Sequence, residues 1–120
     1  MKIPNEVIPD CYKYSKLAFE GKTTADDAAQ KIHKLHDVKL GSAKDYPLLF
    51  KILMTGEGSM WNLSSYCQEY FIKKIYEDYG KEQLKKSLIT YMRLIKKYEG
   101  ENLGSKKLMR TIYEKYKKFV

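Results

Sequence analysis

The chain has 120 residues, 43% hydrophobic and 32% charged, which suits one domain around one core and excludes a disordered segment. Its formal charge of +8 sits in the last third: residues 81–120 hold twelve Lys and Arg against four acids, residues 1–80 eleven against eleven. No apolar run approaches the roughly 18 residues of a membrane span, and Met1-Lys2 leads into a polar stretch without the apolar core of an export signal. A cytoplasmic protein is therefore expected, with Cys11 and Cys67 as reduced, buried small hydrophobes.

No stretch alternates with period two, and the apolar positions recur at helical spacing. A first helix is predicted from Pro9 to Glu20, packing through Ile8, Tyr12, Leu17 and Phe19 and stopped by Gly21. Thr24 opens a second, its hydroxyl placed to cap the first turn with Asp27 three residues on. Its inner stripe is Ala28, Ala29, Ile32 and Leu35. After the turn 37–41, Ser42 and Asp45 repeat the capping pattern and open a third helix reaching Met54. Ala43, Tyr46, Leu49, Phe50 and Leu53 face inward there, and Pro47 predicts a slight kink rather than a break.

Gly56-Glu57-Gly58-Ser59 is the clearest internal boundary. A fourth helix from Trp61 to Tyr79 places Leu63, Tyr66, Cys67, Tyr70, Phe71 and Ile75 on one stripe, and Gly80 ends it. The fifth, Glu82 to Glu99, uses Leu84, Leu88, Tyr91, Met92, Ile95 and Tyr98 before Gly100. Ser105 caps a sixth with Leu108, Ile112, Tyr113, Tyr116 and Phe119 inside. The expectation is an all-α bundle of about six helices forming one domain over 1–120. Most of the eleven tyrosines fall on these stripes, where an apolar ring with a polar tip suits the edge of a thin core.

The second and third helices, within 22–55, are short and joined by a tight glycine-bearing turn, the layout of a helix-turn-helix. In that reading Ser42, Lys44 and Lys51, with Leu48, meet DNA, while Lys31, Lys34 and Lys39 contact flanking phosphates. The third helix carries no Arg, Asn or Gln to read a base edge, so specific base recognition is not expected. The basic part, 60–120, adds Lys85, Lys86, Arg93, Lys96 and Lys97 on the fifth helix, and Lys106, Lys107 and Arg110 on the sixth. Ten lysines against two arginines in 81–120 suit sequence-tolerant attraction to phosphate. A Lys-rich solvated face kept for solubility is the bland alternative.

Catalytic and cofactor signatures are missing. His33 and His36, spaced i, i+3, lack further ligands for a metal, and neither cysteine has a base signature that would make it a nucleophile. Gly56-x-Gly58 follows a helix and reads as a turn, and Glu77 and Asp78 read as solvated helix-end residues. The chain is expected to be no enzyme and to need no cofactor or metal. A second hypothesis is a protein-interaction module or homodimer, with Met60, Trp61 and Tyr66 as an exposed anchor. A membrane-surface role is disfavoured because the basic helices carry Tyr-rich stripes that a core needs.

The chain also resembles a small helical domain found ahead of the nuclease module in some bacterial HNH restriction-type endonucleases. The likeness lies in Asn5-Glu6-Val7-Ile8-Pro9, in Ser42-Ala43-x-Asp45-Tyr46 with Phe50 and Met54-x-Gly56, in Tyr70-Phe71 with Ile75 and Asp78-Tyr79-Gly80, and in Leu84-Lys85 with Leu88, Ile95 and Tyr98-Glu99. It extends through Asn102-Leu103 and Ile112-Tyr113. These are mostly core and cap residues. The resemblance implies a DNA-associated targeting domain in defence against foreign DNA, acting on double-stranded DNA and associated with a nuclease. It implies no catalysis, because the His-Asn-His cluster has no counterpart here, and Pro47 departs from the pattern. A free-standing copy would suit a mobile-element inhibitor of a host nuclease, such as an anti-CRISPR or anti-restriction protein.

Overall fold

A computed structural model describes residues 4–60, 63–100 and 107–120. Among them are a 3-10 turn, Asn5–Val7, and seven α-helices: α1 (Ile8–Phe19), α2 (Ala25–His36), α3 (Leu40–Ala43), α4 (Asp45–Thr55), α5 (Ser65–Tyr79), α6 (Lys81–Gly100) and α7 (Lys107–Lys117). The fold class is all-α: the described residues hold no strand, and every helix but the four-residue α3 has eleven residues or more. None of these helices is long and apolar enough to cross a membrane. The chain divides into two compact units, Met1–Lys51 and Ile52–Val120, and the division falls within α4.

In the first unit, α1 ends as its sequence predicts. The Gly21 amide donates to the Ala18 carbonyl and that of Lys22 to Leu17, a pair that needs the left-handed φ of 79° at Gly21. Thr24 caps α2 by accepting from the Asp27 amide at 3.0 Å. The α1–α2 pair and the start of α4 enclose a core of Ile8, Cys11, Tyr12, Ala28, Ala29, Ile32, Tyr46, Leu49 and Phe50. The Phe50 ring lies 5.3 Å from that of Tyr12 and 5.5 Å from that of Phe19.

Three local expectations are corrected here. Ser42 does not cap a helix: it lies inside α3, and α4 begins at Asp45 after a single intervening residue, Lys44. Pro47 has no amide to offer the Ala43 carbonyl four residues back, so the helix is interrupted upstream of the proline instead of kinking at it. Leu35 is 57% exposed, since the inner face of α2 is completed by His33 and His36. The Nδ1 of His33 bonds the Val38 carbonyl at 2.6 Å, and the Nε2 of His36 bonds the Asp10 carboxylate at 2.8 Å.

The second unit is organised around the C-terminus of α4. The last carbonyls of a helix have no partner within it. Here the Leu53 carbonyl accepts from the Ser87 hydroxyl at 2.8 Å and that of Met54 from the Gln83 amide at 3.3 Å, while the Gly56 amide closes on Ile52. Further along α6, Arg93 donates to the carbonyls of Gly56 (3.0 Å) and Gly58 (2.7 Å) and reaches Ser59 Oγ. Both glycines are required: each has a left-handed φ, and a Cβ would stand 3.3 Å from Thr90 Oγ1 at Gly56 and 3.2 Å from Ile52 Cγ1 at Gly58.

Helix α5 starts four residues later than predicted, where Ser64 accepts from the Cys67 amide at 3.1 Å. It packs on α6, and the Tyr91 hydroxyl donates to Gln68 Oε1 at 2.6 Å within the core. Helix α7 packs against both α5 and α6. The inner line of α7 is Met109, Ile112 and Tyr116; Leu108, predicted inside, is 68% exposed. The predicted cap Ser105 lies outside the described residues.

The buried Ser87 hydroxyl gives a direct check on this organisation. Ser87→Ala strands the Leu53 carbonyl and is expected to cost about 1–2 kcal/mol, read as a lower urea midpoint with an unchanged slope.

Candidate nucleic-acid interface

The predicted contact residues fall into three groups. In the first unit, Lys31, Lys34, Lys39, Lys44 and Lys51 are exposed and Ser42 is half-buried. On α2, Asp26 and Asp27 occupy the first turn and Lys34 the last, the arrangement that the helix dipole alone favours. Lys44, just ahead of α4, and Leu48 and Lys51 within it recur at i, i+4, i+7, and all three are exposed, Leu48 at 43%.

In the second unit, α6 is divided cleanly. Its buried side is Leu84, Ser87, Leu88, Thr90, Tyr91, Leu94 and Ile95. At about 100° per residue, the remaining arc of roughly 160° carries Lys81, Lys85, Lys86, Arg93, Lys96 and Lys97, with Glu82 as its acid and Ile89, 66% exposed, near its middle. No ion pair or hydrogen bond to another described residue holds Lys85, Lys86, Lys96 or Lys97. Arg93 differs from them: its guanidinium is committed to the Gly56–Ser59 loop, so it positions that loop.

The basic groups of α7 do not join one ridge with α6. Arg110 makes a two-pronged bond to Glu99 of α6, with distances of 3.0 and 2.6 Å, and the pairing raises its pKa. On the other flank Lys115 bonds Glu69 of α5 at 2.6 Å, joined by the Tyr116 hydroxyl at 3.1 Å. Lys115 holds the Glu69 carboxyl below the usual range chiefly through that bond. Lys117 donates to Tyr113 at 3.2 Å, while Lys107 and Lys118 are exposed. Lys106 lies outside the described residues. Both arginines of the last third thus serve internal acceptors, and the positive charge left unpaired among the described residues there is lysine charge.

The proposed protein anchor is also redistributed. Met60 is buried, with 9% exposure, and Trp61 lies outside the described residues. Tyr66, expected on the inner stripe of α5, is 45% exposed because that stripe turns through Cys67, Phe71, Ile72 and Ile75. It lines a shallow groove of about 180 Å³ with Glu69, Tyr70 and Lys73, which sequence periodicity had assigned to the core edge.

The two histidines bond different partners in different directions, and the described residues contain no group of three or more His, Cys, Asp or Glu able to hold a metal. Cys11 is fully buried; burial, reinforced by the Asp10 charge, pushes its thiol up to about 12. No family model, curated protein or solved structure matches the chain.

The raised thiol predicts that Cys11 stays unalkylated by iodoacetamide at pH 8 and reacts only on denaturation. Since only the thiolate attacks, its native-state rate should climb with pH up to about 12, well beyond the ordinary value of 9.0.

Proposed function

We propose that the chain is a non-enzymatic module that binds double-stranded DNA through the lysine arc of α6, reading backbone charge and not base sequence. The observation that carries this reading is the set of four lysines, Lys85, Lys86, Lys96 and Lys97, on one arc of a single helix and unpaired with any described residue. From Lys81 to Lys97 the arc is about 24 Å long at 1.5 Å per residue, and phosphates recur about every 3.4 Å along each strand. Several contacts are therefore within reach at once. The commitment of Arg93 and Arg110 to Gly56, Gly58 and Glu99 leaves no free guanidinium in the described part of the last third for a bidentate grip on guanine.

The helix-turn-helix-like pair, α2 with α3 and α4, supplies additional contacts in this reading through Lys44, Leu48 and Lys51, with Lys31, Lys34 and Lys39 on flanking phosphates. The likeness to the domain ahead of HNH nuclease modules supports a role in targeting during restriction or defence, in the cytoplasm. A protein-interaction module is the second reading, and what favours it is the exposure of Tyr66 beside Tyr70.

Fluorescence anisotropy of a labelled blunt duplex over a salt series tests the leading reading. The logarithm of affinity should fall linearly with the logarithm of salt concentration, and Lys85→Ala with Lys96→Ala should flatten that slope by about two without changing stability. Failure to bind at low salt, or a slope that the double variant leaves unchanged, removes it.

A further inference from the structure

We propose that the tyrosine groove on α5 receives an unpaired nucleobase at the end of a DNA strand. The inference rests on the DNA-binding reading and adds to it a second site, on a different helix, with its own ligand chemistry.

The groove is built from one face of α5. Tyr66 and Tyr70 lie one turn apart with ring centroids 6.4 Å apart and planes inclined by 23°, so two ring faces stand nearly parallel. Lys73 follows within the next turn and is exposed. The acid in the lining, Glu69, is paired with Lys115 at 2.6 Å and accepts a further bond from the Tyr116 hydroxyl. The groove therefore offers the exposed ring of Tyr66 and the exposed ammonium of Lys73, in a space of about 180 Å³.

That chemistry selects the occupant. An aliphatic side chain from a protein would find no aliphatic wall, because the four lining residues are Tyr66, Glu69, Tyr70 and Lys73. A nucleobase stacks on a ring face whatever its sequence, and its phosphate meets the lysine ammonium. Bases paired in a duplex are held in the stack against their partners, so only an unpaired base, as in a single-stranded tail, can turn out into the site. The α6 arc cannot substitute, since its large apolar side chains, the exposed Ile89 and the partly buried Met92, are not aromatic.

The test compares a blunt duplex with the same duplex carrying a short single-stranded tail that contains 2-aminopurine. The full chain is expected to bind the tailed form about tenfold more tightly and to quench the 2-aminopurine, as stacking on one ring implies. Tyr66→Ala should remove both effects while leaving blunt-duplex affinity unchanged, and Tyr66→Phe, which keeps the ring, should retain them. Tyr66 is exposed, so both variants should keep the native circular dichroism spectrum. Equal affinity for tailed and blunt DNA, with blunt binding intact, overturns the inference and spares the α6 reading. A tail advantage that survives Tyr66→Ala also overturns it. If light scattering shows a dimer that Tyr66→Ala dissolves while tail binding persists, the groove is a protein interface and the proposal falls.

Discussion

The second unit depends on how α6 receives the end of α4. A helix C-terminus held against protein must find donors for carbonyls that its own backbone cannot satisfy. Ser87 supplies one for Leu53, Gln83 one for Met54 and the Gly56 amide one for Ile52, while Arg93 holds the Gly56 and Gly58 carbonyls just beyond the helix. The three donors recur along α6 at i, i+4 and i+10, with Ser87 in the buried stripe, Gln83 beside it and Arg93 reaching the loop from the exposed arc. No buried side-chain polar atom among the described residues lacks a partner. Because burying an unpaired polar group costs roughly 1–3 kcal/mol, this completeness is a strong constraint on which residues α6 carries.

That constraint explains the division of charge. Arginine, with its planar fork of donors, is the residue that bridges two carbonyls and a hydroxyl at the Gly56–Ser59 loop, and at Glu99 it makes a bidentate pair. On the outward face of α6 lysine, a flexible point charge, occupies the positions with no such duty. The outward face of α6 is consequently rich in mobile positive charge and poor in geometric specificity. Such a surface attracts phosphate without reading bases. Helix α7 is fixed by ion pairs on both flanks, Arg110 to Glu99 of α6 and Lys115 to Glu69 of α5.

Much of the fold was legible in the sequence because its signals are local. Thr24 with Asp27, Gly21 after α1 and Gly80 after α5 act within a few residues, and each is found in its predicted role. Readings that failed depended on context the sequence does not display. Leu35 is as apolar as Ile32, but periodicity cannot say that histidines bonded to Val38 and Asp10 complete the inner face. Tyr66 and Leu108 each lie about 100° from the residue that is buried in their place, an angle within the width of a predicted stripe. The role of Arg93 was hidden for a different reason. Its partners lie 34 to 37 residues away, and a basic residue off an apolar stripe looks the same whether it faces solvent or a loop.

Native-state amide hydrogen exchange tests the α4–α6 junction most directly. The account predicts that the Gly56 amide, bonded to Ile52 at 2.8 Å, exchanges as slowly as the amides of the buried middle of α6, and that Arg93→Ala accelerates Gly56 while α6 keeps its protection. A Gly56 amide that exchanges orders of magnitude faster than α6 in the unaltered chain, with no response to Arg93→Ala, would contradict it.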